Sequence, residues 1–137
     1  MVTKSKFLLL GVALLMPSYV FAQALISEIM YDLPKPGEDT GREWIEIQNT
    51  STTSIDFSAW KLFEAGVNHR LAIFKGSTST PVNSFVVITE TPDKFLTDHP
   101  GFSGAIFDSS FSLNNTNGET LALKNPHLLI PSINLAE

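Results

Sequence analysis

Cysteine is absent from all 137 residues. That excludes disulfides, thiolate metal sites, a cysteine nucleophile and lipid attachment through an N-terminal cysteine. Histidine is scarce: His69, His99 and His127 are the only three, and no two stand at the i, i+4 spacing of a helical metal site. Clusters of positive charge are also missing. Nine Lys and Arg, mostly scattered singly, face fourteen Asp and Glu, whereas a nucleic-acid binder carries a basic patch, so no nucleic-acid partner is expected. There is no G-x-S-x-G elbow. Nothing amounts to a catalytic motif, and the chain is read as a non-enzyme without a cofactor. Helical periodicity is nearly absent, which excludes a helix bundle.

What is present points to one globular domain. The chain is 43% apolar and 17% charged, unlike a disordered acidic tail. Ten phenylalanines give a small core large side chains to bury. The first residues, MVTKSKFLLLGVALLMPSYVFAQA, place Lys4 and Lys6 before an apolar run from Phe7 to Met16, then Pro17 and small residues. This is the layout of a secretory signal peptide, 1–22, with Val20-Phe21-Ala22 as the cleavage signal and Ala22-Gln23-Ala24 as a second one two residues on. The run is too short for a stop-transfer helix of about 20 residues. Removal of 1–22 takes away two lysines and moves the formal charge from −5 to −7. The expected product, 23–137, is exported (periplasmic, cell-surface or extracellular) with no transmembrane segment.

Along 23–137, short alternating apolar runs recur between Pro, Gly, Asn and Ser clusters, the pattern of an all-β sandwich or barrel. LISEIMYD, Leu25 to Asp32, has Ile26 and Ile29 three apart, which a bulge or bend accounts for. LPKPGEDTG, 33–41, is a loop. HRLAIF and SFVVITE are further strands; the unbroken run Phe85 to Ile88 suits a strand covered on both faces. TPDKFLTDHP is one short helix, with Thr91 as N-cap, Pro92 at its first position, Phe95 pinning it to the sandwich and Pro100 beyond its end. Asn117-Gly118, between Phe111/Leu113 and Leu121/Leu123, signals a hairpin.

The stretch GREWIEIQN, 41–49, sets Glu43, Trp44 and Glu46 close together. Side chains alternate along a strand. Ile45 and Ile47 therefore face the core with Trp60 and Leu62, while Trp44, Glu46 and Gln48 face the other way. Glu43 and Glu46 diverge and are no catalytic pair; Glu43, beside Arg42 at the strand entrance, is expected to turn to solvent. Trp44, Glu46 and Gln48, with the 33–41 loop, form a candidate contact surface. The acidic set Glu28, Asp32, Glu38, Asp39 and Glu43 matches no calcium-loop spacing, so no metal is assigned. His69, beside Arg70, is expected at the surface, and His99 at the helix C-terminal end.

ALISEIMYDLP, GREWIEIQN, SIDFSAWKL and FDSSFSLNNTNGETLALK follow one another as in a lamin tail domain, which this chain resembles over 24–124, in the form of its bacterial exported relatives. Asp56 to Leu62 matches that family's DLSGWKL-like segment, with Ala59 where a glycine is usual and Trp60 as its core tryptophan. The resemblance implies an immunoglobulin-like β-sandwich with one short helix, acting in protein association or in attachment to the cell envelope or surface. The end, NPHLLIPSINLAE, departs from the family; Leu128 to Ile130 or Ser132 to Leu135 offers a short edge strand. Two alternatives stand beside this reading: a calcium-dependent carbohydrate or adhesion module, and a truncated remnant of a larger secreted protein with an exposed last edge.

Overall fold

The computed structural model describes residues 23–33, 40–126 and two short strands beyond them. In chain order the elements are β1 (Ala24–Met30), β2 (Trp44–Asn49), β3 (Ile55–Asp56), β4 (Lys61–Glu64), β5 (Val67–Arg70), β6 (Ala72–Lys75) and β7 (Ser79–Thr80). Then follow β8 (Phe85–Thr89), the helix α1 (Pro92–Asp98), β9 (Ala105–Asp108), β10 (Thr120–Asn125), β11 (Leu128–Leu129) and β12 (Ile133–Asn134). The leader expected at 1–22, Glu38 and Asp39 of the 33–41 loop, and His127 lie outside the described residues.

The first sheet runs β1-β2-β8-β9-β6. β1 pairs antiparallel with β2, and its register shifts between Ile26 and Glu28. Ser27 is the extra residue, so Ile26 opposes Ile47 and Ile29 opposes Ile45 on the same face. The bulge thus explains the three-residue spacing of the two isoleucines. β8 and β9 run parallel. A parallel pair needs a crossover, and α1 supplies it, starting at Pro92 after Thr91.

The second sheet runs β11-β10-β4-β5, with β12 also on β10. β4 and β5 are joined by Ala65 and Gly66, both at positive φ (45° and 91°). Positive φ at both central residues marks the mirror-image turn whose twist suits a hairpin. Leu71, buried, separates β5 in one sheet from β6 in the other. β11 and β12 occupy opposite ends of the β10 edge that β4 leaves open. β3 and β7 form a separate short pair.

One apolar cluster joins the two sheets. Ile45, Ile47, Val86, Ile88 and Phe107 from the first meet Leu62, Leu121 and Leu123 from the second, with Phe57 and Trp60 beside them. Ile45, Ile47 and Leu62 are 0% exposed and Trp60 3%. The Phe57 and Trp60 rings meet edge-on at 4.7 Å. This is an immunoglobulin-like β-sandwich. Val87 points to the other face of its sheet, into a second cluster with Trp44, Phe95 and Ile106. The run Phe85 to Ile88 is accordingly covered on both faces from Val86 to Ile88, while Phe85 itself stays exposed.

The hairpin expected at Asn117-Gly118 does not form. Phe111 and Leu113 are buried but lie outside any strand. The Leu113 N–H donates instead to the Glu43 carboxylate at 2.8 Å. The Asn114 side-chain oxygen accepts the backbone N–H of Thr116 and of Asn117. These local bonds offer the backbone an alternative to a ladder.

Candidate functional site

The outward face of the first sheet is built in cross-strand rows. Glu28 opposes Glu46, Glu46 opposes Val87, and Val87 opposes Ile106. One row along, Met30 opposes Trp44 and Trp44 opposes Thr89. In the other direction Leu25 opposes Gln48 and Gln48 opposes Phe85. The bulge at Ser27 brings Glu28 onto this face; unbroken alternation from Ile26 would put Glu28 and Met30 on the core side and Ile29 outward.

α1 lies across the middle of this face. Phe95, 3% exposed, is its anchor. The Phe95 ring meets Trp44 edge-on at 5.8 Å and Phe102 edge-on at 5.2 Å. His99, which ends the helix, sits 4.6 Å from Phe95 and edge-on to Trp44 at 5.7 Å. Such offset and edge geometries are the preferred aromatic arrangements. Arg42 Nη1 donates to both carboxylate oxygens of Asp98 in an ion pair, and the Lys94 ammonium donates to the Thr40 carbonyl at 2.8 Å. Gly41, at φ +68°, allows this approach: a Cβ there would lie 2.8 Å from the Thr91 hydroxyl. The helix is thus tied to the β2 entrance at both ends.

Trp44 does face away from Ile45 and Ile47, as alternation requires. Solvent does not meet it freely, because α1 covers it and leaves it 8% exposed. Sequence periodicity assigns a residue to a face but carries no information about what lands on that face. What remains open is a groove beside the helix, a cavity of about 450 Å³. Val87, Trp44, Phe95 and Phe102 give it apolar walls, and Glu28 and Glu46 line it with carboxylates. Glu46 is oriented by the Ser27 hydroxyl, which donates to its Oε1 at 2.8 Å. Trp44 and Glu46 therefore share one cavity. Gln48 does not line it; it stands one register position further along, between the exposed Leu25 and Phe85.

Glu43 is where the sequence reading is corrected. It is 5% exposed, not turned to solvent. Its carboxylate receives the Leu113 N–H, and its carbonyl receives the Thr89 hydroxyl at 2.9 Å. The role is structural and joins β2 to the irregular 109–119 segment. Of the acidic set, Glu28 is in the groove, Glu43 is buried on the core side and Asp32 is exposed. Among the described residues no three His, Asp or Glu side chains come together as an ion would need.

His69 is also placed differently from its expectation. Its side chain is only 13% exposed and shares a 3.0 Å contact with Glu64. Burial and the facing carboxylate of Glu119 push the Glu64 carboxyl above its ordinary value, against the opposing pull of His69. The clue to this pair was the register: in a two-residue hairpin closed by Ala65-Gly66, Leu62 faces His69 directly and Glu64 lies diagonal to it.

A second, more polar cavity of about 350 Å³ lies where Ser51, Thr53 and Asp56 approach Trp60 and Asn125. A backbone N–H of Ser58 donates to Asp56 at 2.9 Å and holds its carboxyl below the usual value. The local turn uses this carboxylate.

Among the described residues no helix is long and apolar enough to cross a membrane. The family model described as Lamin Tail Domain matches residues 18–130. Comparison with curated proteins and with solved structures returns no match.

Proposed function

Because the chain belongs to the lamin tail domain family, a family of immunoglobulin-like, non-enzymatic interaction domains, we propose that it is an exported, non-catalytic module that binds a protein or another component of the cell envelope or surface. The observation that carries this is the open groove on the outward face of the first sheet. Its walls are mainly apolar and aromatic, and Glu28 and Glu46 add a few polar groups to them. A concave apolar surface with a few placed polar groups is what a binding site requires. The leader pattern in 1–22 supports export, and the formal charge of −7 after its removal supports a partner other than nucleic acid.

Two measurements test this. The full chain, tagged at its C-terminus, is expected in the exported fraction with its N-terminus at Gln23 or Leu25; an uncleaved product retained inside the cell refutes the export. The purified 23–137 chain is expected to co-sediment saturably with envelope preparations, and protease treatment of those preparations separates a protein partner from another component. Absence of saturable binding refutes the association reading.

A further inference from the structure

Glu28 and Glu46 are direct cross-strand partners. Like charges in that position repel and destabilise a sheet. Among the described residues neither forms an ion pair. Three described cations of this part of the fold are engaged elsewhere: Arg42 with Asp98, Lys94 with the Thr40 carbonyl, and Lys75 with the Phe102 carbonyl at 2.8 Å. Two carboxylates therefore stand side by side in a groove that His99 also lines, and among the described residues no Lys or Arg pairs with either of them.

The same groove is walled by Trp44, Phe95 and Phe102. Aromatic walls attract a cation through the ring quadrupole, and adjacent carboxylates accept its N–H donors. Beyond the carboxylates the sheet exposes Leu25 (47%) and Phe85 (41%), flanking Gln48. That strip suits the aliphatic stem of a long basic side chain and the apolar neighbours it comes with. We propose that this groove receives an arginine or lysine side chain of a partner protein, its charged head between Glu28 and Glu46 and beside the aromatic wall. Charge complementarity selects the occupant: an acidic, aromatic-walled groove on a chain of net negative charge excludes acidic segments and favours basic ones. The inference rests on the reading of the chain as an association module, and it names the chemistry of the partner.

The probe is a short peptide of alternating glycine and arginine, with a lysine version and a glycine–glutamine version of equal length. Binding is read on the 23–137 chain from the indole N–H resonance of Trp44, distinguished from that of Trp60 by a Trp60→Phe variant. A saturable shift is expected with the arginine or lysine peptide at concentrations up to roughly 10 mM, and none with the glutamine peptide. In E28Q/E46Q the shift is expected to weaken at least about tenfold, one decade on the affinity scale. That variant keeps the acceptor that Ser27 uses and removes the repulsion, so its melting temperature is expected to equal or exceed that of the parent. An equal shift with the glutamine peptide, an unchanged shift in a folded E28Q/E46Q, or no saturable shift overturns the proposal. Envelope co-sedimentation is measured separately on the same variant. If it persists while the groove fails to bind basic peptides, the association reading stands and the groove is not its site. If the groove binds basic peptides and the envelope is not bound, the proposed function falls and the groove inference stands.

Discussion

Replacing Glu43 with alanine tests whether a charged side chain at the entrance of β2 holds the sandwich together. The carboxylate is 5% exposed and accepts the Leu113 N–H at 2.8 Å. Leu113 is itself 4% exposed and lies in a segment with no strand partner. Its amide therefore loses its acceptor outright in Glu43→Ala. A hydrogen bond to a charged group contributes roughly 1.5–3 kcal/mol, and a buried donor left unpaired adds to the loss. The expected destabilisation is about 3 kcal/mol. For a domain of this size that corresponds to a fall in melting temperature of roughly 10 °C. Glu43→Gln keeps an oxygen for the amide and gives up only the charge, so its cost is about 1 kcal/mol. Urea unfolding followed by tryptophan fluorescence gives the ranking Glu above Gln above Ala. Hydrogen exchange locates it: the Leu113 amide is expected to exchange faster in Glu43→Ala under conditions where the β2 and β8 amides remain protected. If Glu43→Ala matches the parent within about 0.5 kcal/mol, the range of an ordinary surface substitution, Glu43 is solvated after all and the assignment fails.

Gly76→Ala is expected to cost more than about 1 kcal/mol in urea unfolding, because Gly76 sits at φ +83° and a Cβ there meets the Ala105 Cα at 3.0 Å, a backbone atom that cannot swing aside; a neutral result refutes the strain. Ala65→Asn is expected to stabilise by about 0.5 kcal/mol, since Ala65 holds φ 45° in the β4–β5 turn and asparagine tolerates that region better; a lower melting temperature refutes it. Glu64→Gln is expected to gain on the parent as pH rises. The folded carboxyl binds its proton more tightly than an ordinary glutamate, at 4.5, does, so the parent's contribution is full below that value and is lost as pH climbs through the raised folded value. Melting curves across that window check the sign, and a Glu64→Gln variant that falls further behind as pH rises shows that the His69 pairing outweighs burial and Glu119.

Most of the sandwich was legible because its signal is local. Ile45, Ile47, Trp60 and Leu62 stand in runs whose period alone gives them a common face. The Ile26–Ile29 spacing announced the bulge at Ser27, and Thr91-Pro92 announced α1. The turns were not legible in the same way. Asn117-Gly118 carries the stronger hairpin signal, yet the mirror-image turn is made by Ala65-Gly66. Cross-strand pairing and the burial of Leu62 and Leu121 outweigh the local preference of an alanine for negative φ. In the 109–119 segment the reverse happened, and side-chain acceptors from Glu43 and Asn114 took the backbone donors a hairpin would have used.

The candidate site was half legible for a related physical reason. Alternation places Trp44, Glu46 and Gln48 on one face, and they are on one face. Which of them stays accessible depends on α1, whose docking rests on Phe95 some fifty positions away and on the Arg42–Asp98 ion pair. A short helix carries no mark of where it will lie. Its placement turns Trp44 from a surface aromatic into a wall, and it makes a groove beside the like-charged pair that the β1–β2 register sets up between Glu28 and Glu46. The carboxylates matter because of that change. In open water Glu28 and Glu46 would repel weakly behind their hydration. In the groove walled by Trp44, Phe95 and Phe102, a cation that enters meets both carboxylates and the aromatic rings together. The groove is therefore the place on the described surface where a bound basic group would relieve a cost already present in the folded chain, and E28Q/E46Q should show both effects together: a free protein at least as stable as the parent, and a groove that no longer distinguishes arginine from glutamine.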